Sequence, residues 1–328
     1  MSLKNFISQS LLGKRLFITG GTGFIGKNIL NYLHVNQVKL EKISVLTRNS
    51  QKFVNEYPDL VCNLNIECIE KDILSLNYDG ADYDYVIHAS TSATEKTPSI
   101  LLMDETVIGA KNILDYARKC KAKSVINLSS GAVYGDIDTY VKVTEDFIYM
   151  PKISRQSSSY GIGKLVSEHY SYLYATDKMK VTSLRCFCIG GEYLDLEYYV
   201  LGNFIKQATK NETITVQAGK GIYRSYLAAE DLVEATLYTM IKANERESDY
   251  EVYNIGSDEA IAISDLARAV CRVLNSKSQV TCPNLDDEKI FYYVPCVDKI
   301  RKTGLKMSSK LEDIILDVQK YYLSQMSL

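Results

Sequence analysis

The fold is decided by residues 15–26, which have the sequence RLFITGGTGFIG. The short apolar run at 15–19 predicts a buried β-strand. The glycines that follow allow a tight turn, and the residues from Phe24 to Leu33 predict a helix. A strand, a glycine-rich turn and a helix in this order begin a βαβ unit. The segment therefore predicts an α/β fold with a parallel sheet.

The same alternation continues along the first half of the chain. Further strands are predicted at 42–47, 65–70, 85–89, 124–128 and 181–187, and longer helices at 100–120 and 158–175. This rhythm predicts a doubly wound parallel sheet, the Rossmann fold. Beyond residue 188 it loosens, with helices expected near 198–210, 230–243, 264–275 and 309–323 and short strands at 214–217 and 250–255.

These patterns predict two interleaved parts. The first is a Rossmann domain over residues 1–187, with returning segments near 223–256. The second is a smaller α/β substrate lobe over 188–222 and 257–328. A chain of 328 residues has the length of about two domains.

The composition excludes several classes of protein. The formal net charge is −2 and no block of like charges occurs, so binding of nucleic acid through bulk charge is not expected. No apolar run approaches the roughly 18 residues of a spanning helix, and no signal peptide is evident. Eight scattered cysteines without a CxxC pair, and three histidines, lack zinc-site spacing. We expect no metal, free thiols and a cytoplasmic location.

The glycine turn at 20–26 is suited to binding phosphate. Glycines let the backbone approach a pyrophosphate closely, and a helix N-terminus offers N–H groups and the positive end of its dipole. The strand before the turn and the helix after it supply the context that a dinucleotide site requires. The alternative is a purely structural turn. The predicted contacts are Gly20, Gly23, Phe24, Ile25 and Gly26, with Ala89 at the end of the fourth strand.

The end of the second strand indicates which dinucleotide binds. An acid there would bind the ribose 2′-hydroxyl of NAD, whereas a basic residue suits the 2′-phosphate of NADP. The strand ends in LTRN at 46–49, without an acid, and Arg48 can make a forked contact with phosphate. Arg48 favours NADP, with NAD as the alternative, unless it is only a solvated loop residue. Asp72 and Ile73, after the third strand, are placed to meet the adenine.

Several motifs in a fixed order resemble those of one family. They are GGTGFIG at 20–26, LSSGAVYG at 128–135, YGIGK at 160–164, LRCFCIGG at 184–191, YRSYLAAEDL at 223–232 and YNIGSDEAIAI at 253–263. Because these motifs occur together and in this order, the chain resembles the extended short-chain dehydrogenase/reductases, specifically the NAD(P)-dependent nucleotide-sugar epimerases, dehydratases and reductases. The resemblance covers nearly the whole chain and implies hydride transfer at a carbon of a nucleoside-diphosphate sugar.

A tyrosine and a lysine one helical turn apart are the predicted acid–base pair. Three Tyr-x-x-x-Lys matches occur in the chain, but only Tyr160/Lys164 follows the serine-rich strand end at about thirty residues' distance. The two side chains would share one helix face. The ammonium would favour the phenolate, so that Tyr160 could exchange protons near neutral pH. The resemblance implies that Lys164 also holds the nicotinamide ribose.

The end of the fifth strand supplies a candidate catalytic hydroxyl, and the residues after it indicate which reaction the family resemblance implies. Aligned on the Val-Tyr-Gly that follows, Ser130 takes the family's catalytic Ser/Thr position and contacts the sugar, and Ser129 is the alternative. Family 4,6-dehydratases usually carry Thr-Asp-Glu at this point. The triplet Ser130-Gly131-Ala132 has no carboxylate, which disfavours such a dehydratase.

Three residues of the second lobe are predicted to contact the substrate. Arg224 resembles the family arginine that clamps the nucleotide diphosphate, a role that suits a planar guanidinium. Asn203, on a helix, could approach the same ligand or be an ordinary polar surface residue. In the family's Arg-x-Phe-Asn run the asparagine contacts the substrate, and Cys188 occupies its place, so the resemblance implies a thiol at this contact.

We expect reduction of a 4-keto-6-deoxyhexose at C4, with NADP as the cofactor. One alternative is a 4-epimerase that keeps NAD tightly bound, and another is a non-catalytic, dinucleotide-dependent regulatory protein. The helices at 100–120 and 158–175 resemble those that form a four-helix dimer interface in relatives. A homodimer is therefore expected, unless these apolar faces belong to the core.

Overall fold

The computed structural model describes residues 1–90, 97–147, 150–283 and 289–326. Its strands are β1 (Arg15–Thr19), β2 (Lys42–Thr47), β3 (Ile66–Glu70), β4 (Tyr85–His88), β5 (Ser124–Ser130), β6 (Lys180–Cys186), β7 (Cys188–Gly190), β8 (Ile214–Thr215), β9 (Ile222–Arg224), β10 (Tyr226–Ala228), β11 (Tyr250–Ile255), β12 (Ile261–Ala262), β13 (Val280–Thr281) and β14 (Phe291–Tyr293). Its helices are α1 (Leu3–Leu11), α2 (Phe24–Val35), α3 (Ser50–Glu56), α4 (Pro58–Asn63), α5 (Ser99–Lys119), α6 (Ser159–Tyr174), α7 (Val200–Thr209), α8 (Ala229–Lys242), α9 (Ile263–Val273), α10 (Asp298–Arg301) and α11 (Leu311–Met326).

The central sheet has seven strands in the order β11-β6-β5-β4-β1-β2-β3. β1 pairs in parallel with both β2 and β4, and the β2–β3 and β4–β5 pairs are also parallel. The order of the first six strands is that of a doubly wound Rossmann sheet, so the predicted fold class is confirmed. The strand order reverses between β1 and β4, and the carboxyl ends of these two strands border the place where such sheets bind ligands.

The inner strands β1, β2, β4 and β5 form because they are rich in apolar residues and are buried on both faces of the sheet. In β1, Leu16, Phe17 and Ile18 are fully buried. The ring of Phe17 packs against Tyr116 of α5, with the ring centroids 4.7 Å apart. Burial of such large side chains stabilises the fold by roughly 1.5–3 kcal/mol each. The predicted apolar face of α5 is buried at Ala110, Ile113, Leu114 and Ala117.

The chain divides into two compact units. The first comprises Met1–Val133, Pro151–Arg185 and Val233–Tyr253, and the second comprises Tyr134–Met150, Cys186–Leu232 and Asn254–Leu328. The prediction placed residues 134–150 in the first domain, whereas they belong to the second unit. The segment that returns to the first unit is 233–253, shorter than the predicted 223–256. The second unit contains a three-stranded sheet in the order β12-β9-β14.

Some elements differ from the predictions. α1, α3 and α4 were not predicted; α3 and α4 are short, and each buries one residue, Phe53 and Leu60 respectively. β3 begins at Ile66 because Asn65 has a φ of 49°, a turn conformation. β4 ends at His88, one residue earlier than predicted. Within the described ranges we find no helix with the length and hydropathy needed to cross a membrane.

Candidate active site

The glycine turn between β1 and α2 is too crowded for larger residues. Gly20 has a φ of +69°, and a Cβ there would lie 2.6 Å from the backbone of Ala89. A Cβ on Gly26 would lie 2.2 Å from the carbonyl oxygen of Gly20. Gly23 is the N-cap of α2 and has no side chain with which to cap the first-turn amides. Phe24 and Ile25 form that first turn, so the predicted contacts cluster at one helix N-terminus, which suits a pyrophosphate.

A groove lies beside this turn, at the carboxyl ends of β2 and β3. Its lining residues are Gly20, Thr22, Leu46, Thr47, Arg48, Lys71, Asp72, Ile73, Ser90 and Glu105. The structure thus brings together Arg48, Asp72 and Ile73, which follow two different strands. The Asp72 carboxylate accepts a hydrogen bond from the Leu74 amide at 2.8 Å, so the turn after β3 orients it. The groove and the glycine turn together fit a dinucleotide.

Two charged residues of this groove were not predicted. Lys71 directly follows β3, as Arg48 follows β2, and adjacent parallel strands bring their ends to one edge. The sequence therefore contained the information that places Lys71 in this groove. Glu105 comes from α5 and pairs with Arg48, with Nη1 and Oε1 3.4 Å apart. No motif pointed to Glu105, because only the packing of α5 places it there.

The residues of the predicted acid–base pair lie on α6. Lys164 is buried, and its Nζ donates a hydrogen bond to the carbonyl oxygen of Leu128 in β5 at 2.7 Å. The same Nζ lies 5.7 Å from the centre of the Tyr160 ring. Between them, Gly161 packs so tightly that a Cβ would lie 2.3 Å from the carbonyl oxygen of Ala132. α6 is therefore fixed against the end of β5.

The two serines at the end of β5 have different partners. Ser129 Oγ donates to the buried carboxylate of Glu168 at 2.5 Å, and Glu168 also pairs with Arg185 at 2.8 Å. Ser130 Oγ accepts a hydrogen bond from the Ala132 amide at 3.1 Å. As an acceptor there, the Ser130 hydroxyl keeps its proton available for donation. This difference favours Ser130 over Ser129 as a ligand for an external oxygen.

His88, at the end of β4, is a buried titratable group near Lys164. Its Nδ1 lies 2.8 Å from Thr19 Oγ1. Burial lowers the pKa of His88 to about 3, and the charge of Lys164 adds to the effect. The imidazole is therefore neutral at physiological pH, which argues against a role as a proton donor.

The His88 pKa predicts a loss of stability in acid. Between pH 6.5, its ordinary pKa, and about pH 3 the unfolded chain binds a proton that the folded chain does not. The free energy of unfolding should therefore fall with decreasing pH in this window, by up to about 1.4 kcal/mol per pH unit from this residue. Urea unfolding at pH 7, 6 and 5 should show a shallower fall for His88→Asn. Equal slopes in the two proteins would contradict the assignment.

In the second unit, Arg224 is held by two aromatic rings. Its guanidinium carbon lies 4.5 Å from the ring centre of Phe291 and 5.3 Å from that of Tyr293. β14 pairs with β9 so that Tyr293 is beside Arg224, and Nη1 donates to the carbonyl oxygen of Tyr223 at 3.1 Å. Such cation–π contacts fix a guanidinium while leaving donors for an anion. Phe291 and Tyr293 were not predicted, because they depend on this strand pairing.

The other two predicted substrate residues lie on β7 and α7. Cys188 pairs in register with Tyr226 of the neighbouring strand β10. Burial raises the pKa of the Cys188 thiol, and the nearby charge of Arg224 opposes this less strongly. Cys188 is thus a neutral thiol close to Arg224. Asn203 is half-buried on α7, where its backbone N–H donates to the backbone carbonyl oxygen of Tyr199 at 2.9 Å, as in any helix.

Comparison with known proteins identifies the family. The model of the NAD dependent epimerase/dehydratase family matches residues 16–256. The chain therefore belongs to the NAD-dependent epimerase/dehydratase family, which confirms the resemblance drawn from the motifs. A nicotinamide dinucleotide is the cofactor that defines this family.

Individual relatives catalyse different reactions. The chain is 28% identical, over 85% of each chain, to UDP-N-acetyl-alpha-D-glucosaminuronate decarboxylase of Bacillus cytotoxicus. It is 27% identical to dTDP-4-dehydro-6-deoxyglucose reductase of Escherichia coli, over 81% of this chain and 83% of that one. A structure of UDP-N-acetylglucosamine 4-epimerase from Methanobrevibacter ruminantium M1 matches with a TM-score of 0.82 at 21% identity, covering 96% of this chain and 100% of that one. This last similarity concerns the fold.

Proposed function

We propose that the protein transfers a hydride between a nicotinamide dinucleotide and C4 of a nucleoside-diphosphate sugar, as a 4-ketoreductase of 4-keto-6-deoxyhexoses. The observation that carries the proposal is the placement of Lys164. Its buried ammonium is anchored to β5 and lies beside the Tyr160 ring. At 5.7 Å from the ring centre, the positive charge of Lys164 favours the phenolate form of Tyr160, which is the form that this chemistry needs as an acid–base group.

Each residue has a defined task in this proposal. The bound dinucleotide supplies the hydride. Tyr160 donates its phenolic proton to the sugar O4 as the carbonyl is reduced. Lys164 stabilises the phenolate that this leaves and holds the nicotinamide ribose. Ser130 donates a hydrogen bond to the same sugar oxygen, which orients the carbonyl and stabilises its developing charge.

The cofactor of the proposed reaction is NADP. Arg48 supports this choice, since its side chain is 65% exposed and lines the groove beside the glycine turn. Lys71 adds a second cation at the same edge. Together they can receive a 2′-phosphate, which is doubly charged or nearly so.

The proposed substrate is a nucleoside-diphosphate sugar. Arg224 binds the diphosphate, with Phe291 and Tyr293 holding its guanidinium plane. Cys188, a neutral thiol, and Asn203 contact the remainder of the ligand. The reductase from Escherichia coli acts, by its name, on a dTDP-linked 4-dehydro-6-deoxy sugar. The turn 131–134, which has no carboxylate, supports reduction over 4,6-dehydration.

A second candidate is a 4-epimerase with tightly bound NAD. The carboxylate of Glu105 in the groove favours it, because an acid near the adenosine suits a ribose hydroxyl better than a phosphate. The third candidate, a non-catalytic regulatory protein, would not need Tyr160.

The nucleotide released from the purified, denatured protein tests these alternatives. An empty site that binds NADPH better than NADH, together with oxidation of NADPH by nucleoside-diphosphate 4-keto-6-deoxy sugars, is the expected result. One equivalent of NAD per chain would instead support the epimerase. UDP-linked uronic acids belong in the same assay, since carbon dioxide release from them would support the activity of the Bacillus cytotoxicus relative.

The protein is proposed to act as a cytoplasmic homodimer. α5 and α6 pack together, yet both expose apolar side chains in the single chain, which therefore do not belong to its core. These are Ile100, Leu101 and Ile108 on α5, and Val166 and Leu173 on α6. The proposed location rests on the eight scattered cysteines, whose spacing suits free thiols in a reducing compartment.

Light scattering is expected to give twice the mass of the 37.0 kDa chain. Replacing Ile108 and Val166 together with arginine should yield a folded monomer, because like charges would face each other across an interface of two copies. The matched control is a double arginine variant at Val35 and Leu316, which are exposed apolar residues elsewhere. A monomeric mass for the unmodified protein would refute the proposal.

A further inference from the structure

Glu105 is a nearly buried acid in the groove assigned to the adenosine end of the dinucleotide. Its side chain is 9% exposed, whereas that of its partner Arg48 is 65% exposed. A buried carboxylate is costly without a partner, and the guanidinium 3.4 Å away supplies one. The pair therefore joins a buried anion on α5 to the exposed cation at the end of β2.

We propose that Glu105 controls the choice between NADP and NAD by competing with the 2′-phosphate for Arg48. The inference rests on the proposed function, because it requires a dinucleotide in this groove. A guanidinium that turns towards a 2′-phosphate gives up contact with the carboxylate, and the carboxylate repels the phosphate. NAD carries a hydroxyl at this position and leaves the ion pair in place. Glu105 thus lowers the affinity for NADP selectively.

The contacts within the groove single out Glu105 from the other acid there. Asp72 is oriented by the Leu74 amide, and Glu105 is the acid that contacts Arg48. The position of Glu105 is fixed because α5 packs against the turn that follows β3. Asn112, two turns further along α5, donates to the carbonyl oxygen of Ile73 at 3.0 Å, and Gly109 packs on the Ile73 side chain. The anion therefore stays in the groove while Arg48 has room to turn.

Binding of NADPH and NADH to four proteins tests this inference. They are the unmodified protein, Glu105→Gln, Arg48→Gln and the double variant, each freed of copurified dinucleotide and titrated by nicotinamide fluorescence. Glu105→Gln should lower the Kd for NADPH about tenfold and change the Kd for NADH by less than about twofold. In the Arg48→Gln background the same change should improve NADPH binding by no more than about threefold, because only the removal of repulsion remains.

Asp104→Asn is the matched control, since it removes the same charge from the adjacent, exposed position of α5. It should change neither Kd by more than about twofold. If Glu105→Gln unfolds the protein, Glu105→Asn repeats the test with a shorter neutral amide.

Three outcomes would overturn the inference. In the first, Glu105→Gln changes the Kd for NADPH and the Kd for NADH by the same factor. In the second, Glu105→Gln weakens the binding of NADPH. In the third, Glu105→Gln improves NADPH binding by the same factor whether residue 48 is arginine or glutamine. If the unmodified protein binds neither dinucleotide, the proposed function itself fails. Binding of both dinucleotides without the selective effect refutes the role of Glu105 alone.

Discussion

Replacing Tyr160 with phenylalanine is expected to lower kcat by a factor between about 10² and 10⁴. The substitution removes one hydroxyl and with it the proton that the sugar oxygen requires. The affinity for the dinucleotide should change little, because the groove and the glycine turn are untouched. Steady-state turnover and NADPH titration on the same preparation separate the two effects.

The chain contains its own control for this experiment. Tyr174 and Lys178 repeat the Tyr-x-x-x-Lys spacing, but the Tyr174 hydroxyl donates to Asp115 at 2.9 Å, a structural contact. Tyr174→Phe should cost about 1 kcal/mol of stability and leave kcat unchanged. Full turnover by Tyr160→Phe would refute the mechanism. A non-catalytic regulatory protein would instead show no turnover in either the unmodified chain or the variant.

Replacing Gly26 with alanine is expected to destabilise the protein by more than about 3 kcal/mol, or to prevent folding. Its Cβ would lie 2.2 Å from the carbonyl oxygen of Gly20, and both partners are backbone that is held by β1 and α2. The helix propensity gained from alanine, up to about 1 kcal/mol, cannot offset such a contact. Urea unfolding of the two proteins measures the difference.

Gly23→Ala separates packing from cofactor binding in the same turn. Its Cβ would lie 3.3 Å from the same carbonyl oxygen, a contact that a small shift relieves. Stability should therefore fall by no more than about 1 kcal/mol. Dinucleotide affinity should nevertheless fall about tenfold or more, because the added methyl occupies the path of the pyrophosphate. Equal stability losses for the two variants would contradict this account of the turn.

The parts of the fold that were predictable are those with a strong local pattern. The apolar run 15–19 and the glycine turn after it located β1 and the start of α2 at the residues where the structure has them. The short helices α3 and α4 lack such a pattern, because each buries a single residue, Phe53 in α3 and Leu60 in α4. Their existence depends on packing against the edge of the sheet.

In the candidate site, too, residues that follow a predicted strand could be placed from the sequence, whereas residues brought in by packing could not. Arg48 and Asp72 could be placed in one groove because both follow strands of a parallel sheet, and Lys71 could have been found by that argument. Glu105 reaches the groove through the packing of α5 against residues 73–75, and Tyr293 reaches Arg224 through strand pairing. Contacts of this kind depend on which elements pack together, and no spacing in the sequence encodes them.

The most direct test of the proposed hydride transfer is the fate of an isotopic label. The protein would be incubated with NADPH deuterated at C4 of the nicotinamide, on either face, and with nucleoside-diphosphate 4-keto-6-deoxy sugars, and the sugar product analysed by mass spectrometry. We expect one deuterium atom in the sugar, at C4, with loss of the label from one face of the cofactor, and a transfer by Tyr160→Phe that is slower by the factor given above. If no sugar gains deuterium from NADPH or NADH of either face, the proposed reaction is contradicted.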